Sequence, residues 1–297
     1  MKYELRDLVI GYPGHEVAGP MNATLQEGEL CCLLGANGAG KSTLLRTLAA
    51  FQPPLSGEVL LGQRELTRIS SRELSMLVGV VLTERVKPRG VTVRDMVGMG
   101  RMPYTNFWGR LTAHDHEQVK VAIEQVGIEA LADRQFTTLS DGERQKVMIA
   151  KTLAQETPII LLDEPTAFLD FPSKVEMMLL LRRLAHEMGK SIFLSTHDLD
   201  LALQTADSLW LLGGMKSEKG ETRREKRETR NEKRETSEQR EQSDACIDSA
   251  ESRVRKTDRS SELLVGTPRG LVDELPRFFS SEHLDFDAEH LRFNIHI

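Results

Sequence analysis

The chain has 297 residues, a formal net charge of -6 and a pI near 5.8. That length suits one large domain or two small ones, and the acidic balance gives no support to nucleic-acid binding. Hydrophobic residues make up 39%, enough for a sizeable core, yet no run approaches the roughly 20 apolar residues that span a bilayer. The start, MKYELRDLVIGY, has no apolar signal core, so membrane association is expected to go through a partner. Cys31, Cys32 and Cys246 show no CxxC spacing, which points to a reducing cytoplasm; Cys31 and Cys32 are expected on opposite faces of one buried strand.

In chain order, Lys2 to Ile10 alternates as a strand, and Tyr12 follows in a Gly- and Pro-rich turn. Asn22 to Glu29 with the run Leu30–Leu34 is expected to complete an antiparallel layer. Gly35 to Thr43 reads GANGAGKST and fits GxxxxGK[ST], between an apolar strand and a helical run. In that context the glycines let backbone N–H groups close around phosphate. Lys41 then reaches the β- and γ-phosphates, the Ser42 hydroxyl ligates Mg²⁺, and Thr43 lies near the α-phosphate. Gly57–Gly62 reads as a strand, and so does Val78 to Leu82, which is followed by Thr83 and Glu84.

Val91 to about Thr152 is helical in pattern, with Met and Val stripes that read as core. His114 and His116 lack further ligands at metal spacing and read as a solvated helix start. Ser140-Asp141-Gly142 begins another helix, with Glu143 at capping-box spacing. The free N–H groups and dipole of such a start favour an anion. Pro158 ends the helical pattern. Ile159–Leu162 then reads as a strand buried on both faces, with Asp163 and Glu164 at its carboxyl end, where open α/β sheets place ligands. One carboxylate there can hold Mg²⁺ and its neighbour can orient or deprotonate a water. Ser191–Ser195 is a further strand, ending in Thr196-His197.

These pieces together resemble the nucleotide-binding subunit of an ABC (ATP-binding cassette) transporter. LSDGE at Leu139–Glu143 is similar to the signature motif, IILLDE at Ile159–Glu164 to Walker B, TAFLD at Thr166–Asp170 to the D-loop, and STHD at Ser195–Asp198 to the switch loop. The resemblance implies an α/β fold: a P-loop NTPase (RecA-like) core with an antiparallel β subdomain and a helical subdomain, here spanning 83–155 of a single domain over 1–297. It implies Tyr12 against adenine, and Gly35, Asn37, Gly38, Gly40, Lys41, Ser42 and Thr43 around the phosphates. Ser42 and Asp163 would hold Mg²⁺, with Thr83 a further candidate where the family has Gln. Glu164 and His197 would be catalytic. Ser140 and Gly142 of a second copy would close the site of a head-to-tail homodimer, with Asp170 crossing between sites. Asp141 stands where the signature commonly has Gly. The stretch Val91–Tyr104 resembles importers of ferric siderophores, haem and cobalamin. It implies an integral membrane permease as partner, a periplasmic or extracellular substrate-binding protein engaged indirectly, and a place at the cytoplasmic face of the membrane. A soluble ABC ATPase outside transport is the alternative, and a regulatory P-loop module with weak turnover is a third.

Leu209–Leu212 and Leu263–Val265 read as two strands of a hairpin separated by about fifty residues, far above the usual 2–5. The intervening 214–261 contains a heptad, ETRREKR at Glu221–Arg227 and ETRNEKR at Glu228–Arg234, with no apolar seam and with like charges at i,i+4, so it reads as a disordered insert. Alternating Leu291, Phe293, Ile295 and Ile297 suggest a terminal edge strand.

Overall fold

A computed structural model describes residues 1–83, 88–106, 108–213, 262–271, 274–275, 284–287 and 292–295. Glu84, the charged insert with Cys246, and the tail positions Leu291 and Ile297 lie outside the described residues. The chain divides into two units: Met1–Gly213 with Ser260–Ile297, and Gly214–Arg259. Every described strand and helix belongs to the first unit.

Alternation builds the first layer. In β1 (Tyr3–Tyr12), Tyr3, Leu5, Leu8 and Ile10 point inward. The strand pairs antiparallel with β2 (His15–Leu25) and with β4 (Ser56–Leu61), beyond which β5 (Arg64–Glu65) completes a four-stranded sheet. The Tyr3 hydroxyl donates to Leu48 O at 2.7 Å and so ties this layer to α1 (Lys41–Leu48).

The second sheet has six strands. β3 (Leu30–Leu34) lies between β8 (Ser191–Ser195) and β9 (Ser208–Gly213), with β7 (Ile159–Asp163) and then β6 (Val78–Val81) beyond β8, and all of these run parallel. The placement of Leu30–Leu34 in the antiparallel layer is therefore corrected. All five of its residues are buried, the mark of a strand covered on both faces at the centre of a parallel sheet. Cys32, Ile160, Leu162 and Leu194 belong to one core; Cys31, Leu161, Phe193 and Trp210 belong to the other. The two cysteines do face opposite ways, and burial pushes both thiols well above their ordinary range. β10 (Glu262–Gly266) pairs antiparallel with β9, Leu263 opposite Leu212, as the hairpin pattern expects. The terminal strand is an edge strand, as its alternation suggests, but of a small separate sheet. β12 (Arg292–Ile295) pairs with β11 (Leu284–Asp287) in a two-stranded sheet of its own rather than edging the large one. Alternation identifies a strand but does not name its neighbour.

α2 (Ser71–Leu74) precedes β6. Between β6 and β7, α3 (Val93–Gly98), α4 (Ala113–Gln125) and α5 (Asp141–Ala154) pack against one another. Each begins with a capping box, formed by Thr92 with Asp95, Thr112 with Asp115, and Ser140 with Glu143. Arg101, buried at their junction, donates to Asp115 Oδ1 at 2.8 Å and to Ala154 O, the end of α5, at 2.7 Å. α6 (Phe171–Met188) follows β7 and ends at Gly189, whose φ of 63° suits a left-handed cap. α7 (Leu199–Thr205) follows β8.

Candidate functional site

Parallel strands end on one edge, and four of them deliver polar groups there: Gly35–Ser42 after β3, Thr83 after β6, Asp163 and Glu164 at the end of β7, and Ser195 to His197 at the end of β8. The loop after β3 needs glycine at defined places. A Cβ on Gly35 would fall 2.2 Å from Leu212 O, and Gly40 combines φ of 105° with Val17 Cγ1 at 2.7 Å from any Cβ. Gly40 also caps α1, so the helix starts directly under the loop. Asn37 and Gly38 are exposed on the loop, and Thr43 is buried in the first turn of α1. The contact between Gly40 and Val17 sets the β1–β2 hairpin, whose end carries the half-exposed Tyr12, beside this loop.

Lys41 is 7% exposed, and its Nζ donates to Gly35 O at 2.8 Å and Ala36 O at 3.2 Å. Two carbonyls thus hold the ammonium across the loop, with one proton left for a ligand. Burial lowers its pKa, while Glu164 and Asp163 pull it back up. Ser42 Oγ donates to Asp163 Oδ1 at 3.3 Å, linking the first turn of α1 to β7. The same Oδ1 accepts from Ser195 Oγ at 2.7 Å. Thr83 Oγ1 donates to Asp163 O at 2.8 Å, so its proton is committed to the strand end. Glu164 has φ of 51°, uncommon for a residue with a side chain, and its Oε1 lies 2.6 Å from His197 Nε2. Left-handed residues of this kind gather at functional sites.

A second cluster forms at the start of α5. Ser140 Oγ accepts from Glu143 N, and the Glu143 carboxylate accepts from Ser140 N. Gly142 lies beside Leu169 and Ser173, where a Cβ would meet only ordinary contacts at 3.8 Å, so this chain's own packing does not demand glycine there. Asp141 is paired with Arg144 at 3.0 Å. Asp170 caps α6 by accepting from Ser173 N at 3.2 Å, and the Ser173 hydroxyl first, then that N–H, hold its carboxyl below the usual range. Among the described residues no hydrogen bond joins Ser140 or Gly142 to the Lys41 cluster. His114 and His116 are exposed at the start of α4.

Three side chains with roles at the site were not singled out in the sequence. Ser195 holds both members of the Asp163–Glu164 pair. Asp198 accepts from Thr166 Oγ1 and from Lys174 Nζ, each at 2.9 Å, and so ties the segment after Glu164 to the turn after His197. Lys174 itself stands in the first turn of α6. The available signal was a serine placed directly after the apolar run Ile192–Leu194 and directly before Thr196-His197.

The ABC transporter family profile matches residues 18–167. Over 210 residues the chain is 43% identical to an uncharacterised ABC transporter ATP-binding protein of Methanocaldococcus jannaschii, a span covering 71% of this chain and 72% of that one. The chain belongs to the ABC transporter family. It is also 36% identical over 195 residues to an iron(3+)-hydroxamate import ATP-binding protein of Bacillus subtilis, covering 66% of this chain and 72% of that protein. A dimeric ATP-binding cassette solved in a post-hydrolysis state with ADP and Pi matches with a TM-score of 0.60 at 25% identity, covering 70% of this chain and 93% of that one. This member of the ABC family is accordingly an ATP-binding subunit and an ATPase, with a P-loop NTPase core flanked by the antiparallel sheet and the helices α3 to α5. None of its described helices is long and apolar enough to cross a membrane.

Proposed function

We propose that the chain is the energy-coupling subunit of an importer for iron chelates, haem or cobalamin, hydrolysing ATP between two copies of itself. The observation that carries the hydrolytic reading is the 2.6 Å contact of Glu164 with His197, directly beyond a Walker B strand whose Asp163 meets Ser42 of the phosphate loop. The importer reading draws on the Val91–Tyr104 stretch and on the iron(3+)-hydroxamate relative.

Lys41, fixed by two loop carbonyls, and the backbone amides from Gly38 to Thr43 bind the β- and γ-phosphates. Tyr12 presents a flat, half-exposed ring to the adenine. Ser42 Oγ and Asp163 Oδ1 are adjacent hard oxygen donors, the donor type Mg²⁺ takes, and Thr83 backs Asp163 through its carbonyl. When bound, Mg²⁺ neutralises charge on the phosphate oxygens. Glu164 orients a water in line with the γ-phosphorus and draws off its proton, and His197 fixes that carboxylate and reaches the γ-phosphate. Ser140 and Gly142 of the second copy close over the same phosphate. The spare room at Gly142, which its own chain does not explain, supports this. Asp170, at the start of α6 beside the signature helix, links one site to the other.

The partners in this reading are a second copy, an integral membrane permease docking near Thr83 and the helical subdomain of 83–155, and indirectly an extracytoplasmic binding protein. The subunit sits at the cytoplasmic face of the membrane, and the 214–261 segment is an insert in a single domain. Co-expression with the permease encoded beside it tests this. Several-fold stimulation of ATPase activity by the permease in liposomes with its binding protein is expected. Stimulation by nucleic acid instead, or equal turnover with and without the permease, contradicts it.

A further inference from the structure

We infer that Ser195 is a positioning residue for hydrolysis, holding Glu164 in its left-handed backbone conformation so that the carboxylate meets His197. The inference rests on the proposed role of Glu164 in orienting the attacking water. Ser195 is the last residue of β8, and its register partner across the sheet is Asp163. The side chain is 0% exposed, so it does not itself touch nucleotide. Its hydroxyl carries one proton, and that proton goes to Asp163 Oδ1 at 2.7 Å. The oxygen is then oriented to accept, and it accepts the Glu164 N–H at 3.0 Å. One hydroxyl thus orders two consecutive residues, one through its carboxylate and the other through its backbone.

The backbone bond matters because Glu164 has φ of 51°. A non-glycine residue there relaxes toward negative φ when nothing holds it. Relaxation swings the side chain, and Glu164 Oε1 leaves its place 2.6 Å from His197 Nε2. The downstream part of the same turn has its own anchor, Thr166 to Asp198 to Lys174. Loosening at Ser195 therefore stays local to Asp163 and Glu164.

The test compares Ser195→Ala, Ser195→Cys and Ser195→Thr by steady-state ATPase kinetics, titration with a fluorescent ATP analogue, and thermal melting. Alanine removes the hydroxyl, cysteine keeps the volume with a weak hydrogen-bonding group, and threonine keeps the hydroxyl. Losing the hydroxyl's two hydrogen bonds, each worth about three- to fivefold, lowers kcat roughly 10- to 25-fold in the alanine and cysteine variants. KM and analogue affinity stay within about twofold, because Lys41 and the loop amides that bind the phosphates are untouched and Asp163 keeps its contact with Ser42. Threonine recovers most of kcat; if its extra methyl lowers the melting temperature instead, the alanine and cysteine variants decide. In a Glu164→Gln background, Ser195→Ala changes the residual turnover by less than about twofold, since the residue acts through Glu164. Near-wild-type kcat in the alanine variant, a cysteine variant as active as the wild type, a loss that falls on KM, or an undiminished effect in the Glu164→Gln background would each overturn the inference. If Glu164→Gln abolishes turnover while the Ser195 variants stay active, Glu164 keeps its role and only the positioning by Ser195 fails.

Discussion

Replacing Arg101 with Met removes a buried cation that joins α4 to the end of the signature helix. The guanidinium is 2% exposed and stands 4.1 Å from the centre of the Tyr104 ring. Its Nε serves Asp115 Oδ1, while its Nη1 serves Ala154 O and Glu156 Oε2. Methionine roughly fills the stem but supplies no donor, so the buried Asp115 and the last carbonyl of α5 each lose a partner. Breaking a buried ion pair from one side costs about 3–5 kcal/mol. The Glu156 arm is half-exposed and adds little. At about 2–4 °C per kcal/mol, the melting temperature falls by roughly 6–20 °C, read by calorimetry or circular dichroism. Adding Asp115→Asn removes the stranded charge and recovers part of the loss, so the two effects do not add. The acid limb gives a further check. The Thr112 hydroxyl first, then the Thr112 N–H and Arg101, hold the Asp115 carboxyl down at about 2, below its ordinary 3.8. A depressed folded-state value stabilises fully above the unfolded one and is lost as pH falls through the folded one. The stability gap between wild type and Asp115→Asn therefore closes as pH drops from 3.8 towards 2. A melting shift under about 2 °C in Arg101→Met, or strict additivity in the double variant, refutes the reasoning.

Lys41→Met removes a charge-assisted contact to phosphate worth about 1.5–3 kcal/mol, so affinity for a fluorescent ATP analogue falls roughly 10- to 100-fold; unchanged affinity would remove Lys41 from phosphate binding. Replacing Met215–Ser260 with a short turn should leave ATPase activity within about twofold, because a loop of about fifty residues costs only about 2 kcal/mol more to close than one of four. Lost activity in a folded variant would give the insert a part in hydrolysis. Thr83→Val deletes the donor to Asp163 O and should lower turnover about fivefold, the worth of one net hydrogen bond, with nucleotide affinity kept. Wild-type kinetics in that variant would mean the Asp163 carbonyl needs no such support.

Much of the site was legible because its chemistry is written in short contiguous motifs. Gly35–Thr43 and Ile159–Glu164 each combine a buried strand with the loop it feeds, so local pattern and ligand group coincide. The capping box at Ser140 was equally local. What stayed hidden depends on which strands become neighbours. Leu30–Leu34 pairs with strands far along the chain, Ser191–Ser195 and Ser208–Gly213, and no periodicity within five residues reveals that. Ser195 gains its role only because that pairing sets it across from Asp163. Arg101 has no local signal in the sequence, because its partners Asp115 and the end of α5 lie further along the chain. The last strand was legible as an edge strand, but its alternation does not name Leu284–Asp287 as the neighbour.

The central claim is that two copies share each ATP and that Glu164 orients the water that cleaves it. Its most direct measurement is the molar mass of purified Glu164→Gln protein, by light scattering, with and without Mg·ATP. The predicted result is a dimer that forms only with the nucleotide and persists because turnover has stopped. A protein that stays monomeric with ATP bound, or that hydrolyses ATP near the wild-type rate, would contradict it.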